Sequence, residues 1–211
     1  MKFRSSARVP RRMLATGGYP FAHNEGRLGD RARVFWRPDW DKSVLLVRTL
    51  PAYATENAFD IHLYRGLATV LVLEEGFEVV LLTDGVHHLQ LFVLEGTVLN
   101  GPVYLRYALS GFRHLETRVM SLRRLVGLHQ HGQFVSKLYP AETKAERWVQ
   151  ALRAYDAHAT GASQREIALT LFGERATENW SNGSDFMRLR IKRLINYSKS
   201  MIAGAYSDLL K

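Results

Sequence analysis

The chain contains no cysteine. That excludes a disulfide framework, a thiol nucleophile and any zinc site built on thiolates. Long hydrophobic runs are also missing. Glu74, Glu75, Glu78 and Asp84 interrupt the most apolar stretch, which falls well short of the ~20 apolar residues of a spanning helix. The start, MKFRSSARVPRRM, is basic but leads into TGGYPFAHNEG, with no apolar run of signal-peptide length. A cytoplasmic protein with no membrane partner is expected. Gly17-Gly18 is no phosphate loop, because no GxxxxGK[ST] spacing exists. Acidic side chains are scarce, 20 Asp and Glu against 29 Lys and Arg, so the net charge is +9. That balance fits an anionic partner but says nothing about fold.

What is present reads as globular. At 211 residues the chain can form one large domain or two small ones. Charge is unevenly spread. Residues 1–37 sum to +7, residues 38–136 to −2 and residues 137–211 to +4. The pattern predicts a basic flexible arm over 1–32, a β-rich lobe with a helical segment over 33–136, and a basic helical domain over 137–211. Gly17, Gly18, Pro20, Gly26 and Gly29 make the arm loop-like.

From Arg33 short apolar runs alternate with turn signals. Val34–Trp36, Val44–Val47, Leu67–Leu73, Phe77–Leu82 and Val86–Leu94 are separated by Pro38, Pro51, Glu75-Gly76 and Asp84-Gly85. These predict an antiparallel β meander over 33–100. Trp36 and Trp40 are expected as buried anchors. Pro102 opens a predicted helical stretch in which Leu105, Ala108 and Leu109 share a face. Leu115, Val119, Leu122 and Val126 then recur at helical spacing. Residues 129–141 connect to the last domain, with Phe134 and Leu138 available for packing. The fold class is α+β, the lobe being followed by an all-α domain.

In that domain a helix over 142–158 places Ala145, Trp148, Val149, Leu152 and Tyr155 on one face. Ser163 with Glu166 forms a capping box for a second helix, whose buried face is Ile167, Ala168, Leu171 and Phe172 and which Gly173 ends. Ser184 can cap a third helix, Asp185 to about Ile202. A short capped helix before a basic one is the outline of a helix-turn-helix, although GERATENWSNGS is far longer than the usual turn. Trp180 in that segment needs a home in the trihelical core. Turning the third helix at ~100° per residue puts Phe186, Met187, Ile191, Leu194, Ile195, Tyr197, Met201 and Ile202 in one arc. Arg188, Lys192, Asn196 and Lys199 fall opposite, with Arg193 on the flank. Arg190 falls inside the apolar arc, where it snorkels or ion-pairs. The candidate DNA-binding residues are Asn182, Ser184, Arg188, Lys192, Arg193, Asn196, Lys199 and Arg165. A solvated face is the bland alternative for such a basic stripe.

The stretches RVFWRPD, YLRYALSGFRHLETRVMSLRRL, ERWVQALRAYDAHATGASQREIALTLFG and GSDFMRLRIKRLINYSKSMIAGAYSDLL resemble domain-of-unknown-function family 2285. The resemblance covers residues 33–211 and is strongest from Ala145 to Leu210. It implies a variant helix-turn-helix carried by proteobacterial integrative and conjugative elements. Some members activate genes for excision and transfer, and smaller relatives are antiactivators that bind the activators. The partners implied are double-stranded DNA and a partner activator subunit, an antiactivator or RNA polymerase. Activators of the family join this domain to a further small N-terminal domain, with no obvious equivalent in residues 1–30. The basic helix favours DNA binding over pure antiactivation.

Other signals have plainer readings. His87 and His88, adjacent in a predicted strand, point to opposite faces and cannot chelate one metal. His129 and His131 have no carboxylate within a few residues. Glu74, Glu75, Glu78 and Asp84 read as solvated strand ends rather than a catalytic cluster. Ser163 and Ser184 read as caps, not nucleophiles. No catalytic residue, cofactor or metal site is assigned, and no enzyme activity is expected.

Overall fold

The computed structural model describes residues 21–23, 33–53, 56–73, 75–177, 180 and 185–210. It separates into two compact units, the second being Ala141–Leu209. The fold is α+β. The boundary falls after Pro140, beyond the expected 136/137, because Phe134 and Tyr139 pack into the core of the first unit.

The first unit is built on a five-stranded sheet of order β4-β5-β6-β3-β7. Its strands are β3 (Leu45–Pro51), β4 (Ala68–Val72), β5 (Glu78–Thr83), β6 (His88–Glu95) and β7 (Val103–Tyr107). A separate ribbon pairs β1 (Phe21–His23) with β2 (Val34–Trp36), antiparallel. Two expectations are corrected here. The sheet is mixed rather than an antiparallel meander: β3 runs parallel to β6, with Leu45 opposite Leu91. A parallel pair needs a long crossover, and the chain supplies one holding the 3₁₀ turn Ile61–Tyr64 and the β4–β5 hairpin. Alternating residues alone cannot tell parallel from antiparallel neighbours. The stretch after Pro102 is strand, not helix. Its Leu105/Ala108/Leu109 spacing yields to pairing with β3, where Val103 lies opposite Pro51 and Tyr107 opposite Val47. Phe59 also exchanges two backbone bonds with Val103, at 2.8 and 2.9 Å.

Period-two alternation separates two apolar layers. Leu45, Val47, Val80, Leu82, Leu89, Leu91 and Val93 join one core with Leu125 and Leu128 of helix α1 (Leu115–His131). Leu71, Val79 and Leu81 pack with Phe35 in another. Strand β5 is therefore buried on both faces, which explains its unbroken Val79–Leu82 run. Helix α1 faces inward through Ser121, Leu125 and Leu128, whereas Val119 and Val126 are exposed. Trp40 is also exposed and Trp36 half-buried; the main chain of Trp36 is held by both ends of the Gln90 amide, so the two tryptophans are not buried anchors. Glu78 departs from a solvated strand end as well. It is 5% exposed, and its carboxylate accepts from the Thr97 hydroxyl and, at 2.8 Å, from the Val98 amide. Those two bonds tie the segment after β6 back onto β5. The N-terminal arm falls outside the described residues except for Phe21–His23, which form strand where loop was expected.

The second unit packs α2 (Ala145–Ala159), α3 (Gln164–Phe172) and α4 (Asp185–Ile202), followed by the 3₁₀ turn Ala205–Leu210. Its core is Ala151, Ala154, Ile167, Ala168, Ile191, Leu194 and Ile195. The alanines bury at the contact and let the helix axes approach. Val149 and Leu152, expected on the inner face of α2, are each about half exposed. The larger side chains sit to one side of the narrow alanine seam.

Candidate nucleic-acid interface

The interface is built from the start of α3 and the outer side of α4. Ser163 is the N-cap of α3, with extended backbone at φ −70 and ψ 157. Its Oγ accepts from the Glu166 amide at 3.3 Å, and Glu166 Oε2 accepts from the Ser163 amide at 2.8 Å. Both halves of the expected capping box are formed. The Ser163 backbone N–H first, and then its side chain, hold the Glu166 carboxyl below the ordinary glutamate value. Ile167 and Ala168 are buried, Leu171 and Phe172 half-buried, and Gly173 closes the helix at φ 79. The cap therefore aims a rigid helix start at solvent, and Arg165 is exposed in its first turn. That turn also has the positive end of the helix dipole.

Helix α4 is held by Ile191, Leu194, Ile195 and Ser198, an i, i+3, i+4, i+7 stripe. Opposite and flanking it, Arg188, Lys192, Arg193, Asn196 and Lys199 are all exposed. Arg188, Lys192, Asn196 and Lys199 fall within an arc of about 80° at the helical repeat. Among the described residues Lys192, Arg193 and Lys199 have no ion pair. Arg193 belongs to a different side. With Arg147, Arg190 and Glu146 it lines a groove of about 490 Å³ between α2 and α4. Asn182 and Ser184 lie outside the described residues.

Three arginines are already engaged with aromatic faces. The Arg188 guanidinium donates from Nη2 to the Trp180 carbonyl at 3.0 Å and lies 5.5 Å from the centre of that indole. Trp180 is half-buried against the helical core, as the unusual length of the α3–α4 connection requires. Arg188 thus anchors the segment entering α4 as well as standing on the basic stripe. Arg190 places its guanidinium 3.9 Å over Phe172, so a cation–π contact, not an ion pair, accounts for its place beside the apolar arc. Arg147 sits 5.2 Å over Tyr197 in the same manner. Sequence reasoning passed over Arg147; its signal is the basic–aromatic pairing, visible only once α2 and α4 are neighbours. Phe186 and Ile202, expected on the inner arc, are 66% and 53% exposed. They stand at the two ends of α4, where α2 covers them only in part: Phe186 edges the groove that holds Arg147, and Ile202 lies beside Trp148 and Leu152.

Such an arrangement offers a capped helix, a second helix with exposed cations in register, and a scaffold of small residues behind both. Residues 109–211 match the family model described as "T6SS, Transcription factor, DNA binding domain". The match supports a DNA-binding transcriptional regulator. No curated protein matches the chain. Among the described residues there is no group of three or more His, Cys, Asp or Glu able to hold a metal ion. No described helix is long and apolar enough to cross a membrane. The histidines have local roles. The His87 ring lies 4.7 Å from that of Tyr139 and bonds Asp84 at 2.8 Å, while His129 Nδ1 meets the Tyr64 hydroxyl at 3.2 Å.

Proposed function

We propose that α4 is the recognition helix of a variant helix-turn-helix, reading DNA in the major groove while the start of α3 braces the phosphate backbone. The observation that supports it most is Lys192 and Lys199, exposed and without an ion pair among the described residues, on the arc of Arg188 and Asn196. Phosphate contacts position such a protein and base contacts specify the site. Lys192, Lys199 and Arg165 take the first role. Arg188 and Asn196 have the side-chain geometry for guanine and adenine edges respectively. The chain acts as a binding protein in the cytoplasm, at the nucleoid, and catalyses nothing.

The target genes follow from resemblance. The likeness to domain-of-unknown-function family 2285 points to excision or transfer of an integrative and conjugative element. The description of the matched family points instead to type VI secretion. A footprint on the DNA flanking the gene decides between them: protection upstream of transfer genes supports the first, and protection upstream of secretion genes the second.

A second reading is favoured by one observation. Phe186 and Leu189 are exposed on α4, 66% and 47%, beside the basic stripe. An antiactivator would use such apolar side chains to cover another regulator. Salt separates the two readings, because phosphate contacts weaken steeply with salt whereas an apolar interface does not.

A further inference from the structure

The groove between α2 and α4 has no part in the basic arc. It holds about 490 Å³, and Arg147, Arg190 and Arg193 line it against a single acid, Glu146. The Glu146 carboxylate is engaged on its own helix, where it accepts from Gln150 Nε2 at 3.1 Å. All three arginines are exposed, and among the described residues none of them forms an ion pair. The groove is a site of net positive charge, open to solvent.

Two of these side chains are already held in place. The Arg190 guanidinium lies 3.9 Å from the centre of the Phe172 ring on α3, and that of Arg147 lies 5.2 Å from the centre of the Tyr197 ring on α4. A guanidinium over a ring uses its flat face on the ring and keeps its N–H edges for an acceptor. The planar fork of such an edge matches a carboxylate bidentately. Side chains ordered before binding lose less entropy on binding. Phe186 adds an apolar element: it lines the same groove and is 66% exposed. A groove walled by exposed side chains suits a chain segment laid across it better than a small molecule, which a pocket normally encloses.

Its direction separates it from DNA. At ~100° per residue, Phe186, Arg190 and Arg193 lie roughly 100–170° around α4 from the centre of the Arg188–Lys192–Asn196–Lys199 arc. A duplex seated on that arc leaves the groove open on the other side of the helix.

We infer that the α2–α4 groove docks an acidic segment of a partner protein, with carboxylates on Arg147, Arg190 and Arg193 and an apolar side chain on Phe186, while α4 stays on DNA. This partner joins the DNA complex and does not displace it. Only the simultaneous DNA contact rests on the reading of α4 as the recognition helix; the groove does not.

The test is fluorescence anisotropy of the full chain with a labelled synthetic peptide, two glutamates on each side of one leucine. The parent should bind it, and should not bind the same peptide with lysines for glutamates. Arg193→Glu should weaken binding by at least about fivefold, the effect of one exposed ion pair. Lys199→Glu makes the same change of net charge on the arc; it should leave the peptide affinity unchanged and lose DNA affinity instead. Phe186→Ala should weaken the leucine peptide and have no effect on one with serine in its place. Saturating duplex DNA should leave the peptide bound. Arg193→Gln adds no repulsion and should show a smaller loss, which serves even where the charge reversal destabilises the helical unit. No binding by the parent would overturn the inference. Equal losses in Arg193→Glu and Lys199→Glu would overturn it too, since net charge alone would then attract the peptide. Displacement of the peptide by duplex, with Arg193→Glu weakening DNA as much as peptide, would give the groove to nucleic acid and leave the α4 reading standing. A parent that binds the peptide but no DNA would support the groove and remove only the α4 reading.

Discussion

Replacing Ser163 by Ala removes one half of the capping box and leaves the other weakened. The Oγ bond to the Glu166 amide is long, 3.3 Å, whereas the carboxylate bond to the Ser163 amide is 2.8 Å. An N-cap lost to alanine usually costs about 0.5–2 kcal/mol, typically about 1. The long Oγ bond and the exposed site place Ser163→Ala in the lower half of that range, about 0.5–1 kcal/mol. For a unit the size of Ala141–Leu209, each 1 kcal/mol moves Tm by about 4–8 °C. Thermal unfolding followed by circular dichroism at 222 nm should therefore show the helical transition about 2–8 °C lower, with DNA affinity falling only as much as the folded fraction does. Ser163→Asp, which keeps an acceptor and adds negative charge at the helix start, should recover most of the loss. An unchanged Tm in Ser163→Ala would refute the reasoning, since the helix would then begin elsewhere or not need its cap.

Acid should weaken the same cap. The Glu166 carboxyl is held below its ordinary value, so its stabilisation is present above that ordinary value and is lost as pH falls through the lowered one; Glu166→Gln should flatten this limb of the stability–pH profile. Gly96→Ala should destabilise the first unit by about 1–3 kcal/mol, because Gly96 sits at φ 83 and a Cβ there would lie 2.8 Å from the Thr49 carbonyl oxygen; denaturant unfolding reads it, and a neutral result would mean that the turn after β6 is wrongly placed. Arg188→Ala should lose discrimination between target and shuffled duplex while keeping most non-specific affinity. Arg188→Lys should not restore that discrimination, because a bidentate guanine contact needs the planar fork; a variant that discriminates fully leaves Arg188 only its anchoring of Trp180.

Local chemistry was the legible part of the fold. The Ser163–Glu166 box and the Gly173 stop follow from capping rules that involve neighbours within four residues. Strand positions were legible wherever a turn signal bounded an apolar run, as at Asp84-Gly85 between β5 and β6. Partner choice was not. Whether β3 meets β6 in parallel, and whether Val103–Tyr107 is strand or helix, is decided by residues fifty positions away. Facing was half legible: α4 shows the expected Ile191/Leu194/Ile195 stripe, but α2 buries Ala151 and Ala154 instead of the larger Val149 and Leu152. Periodicity marks apolar positions, and only close helix approach makes an alanine the better contact.

In the candidate site the exposed basic arc of Arg188, Lys192, Asn196 and Lys199 could be read from a helical wheel. The Trp180 anchor beneath Arg188 could not, because a wheel has no loops.

The most direct test of the account is the salt dependence of DNA binding by the full chain and by its Lys192→Ala/Lys199→Ala variant. The parent should bind duplex DNA with affinity that falls linearly on a log–log plot, and the variant should lose about two units of that slope on target and shuffled duplex alike. Binding by the parent that is indifferent to salt, or a variant whose slope is unchanged, would contradict the placement of α4 against DNA.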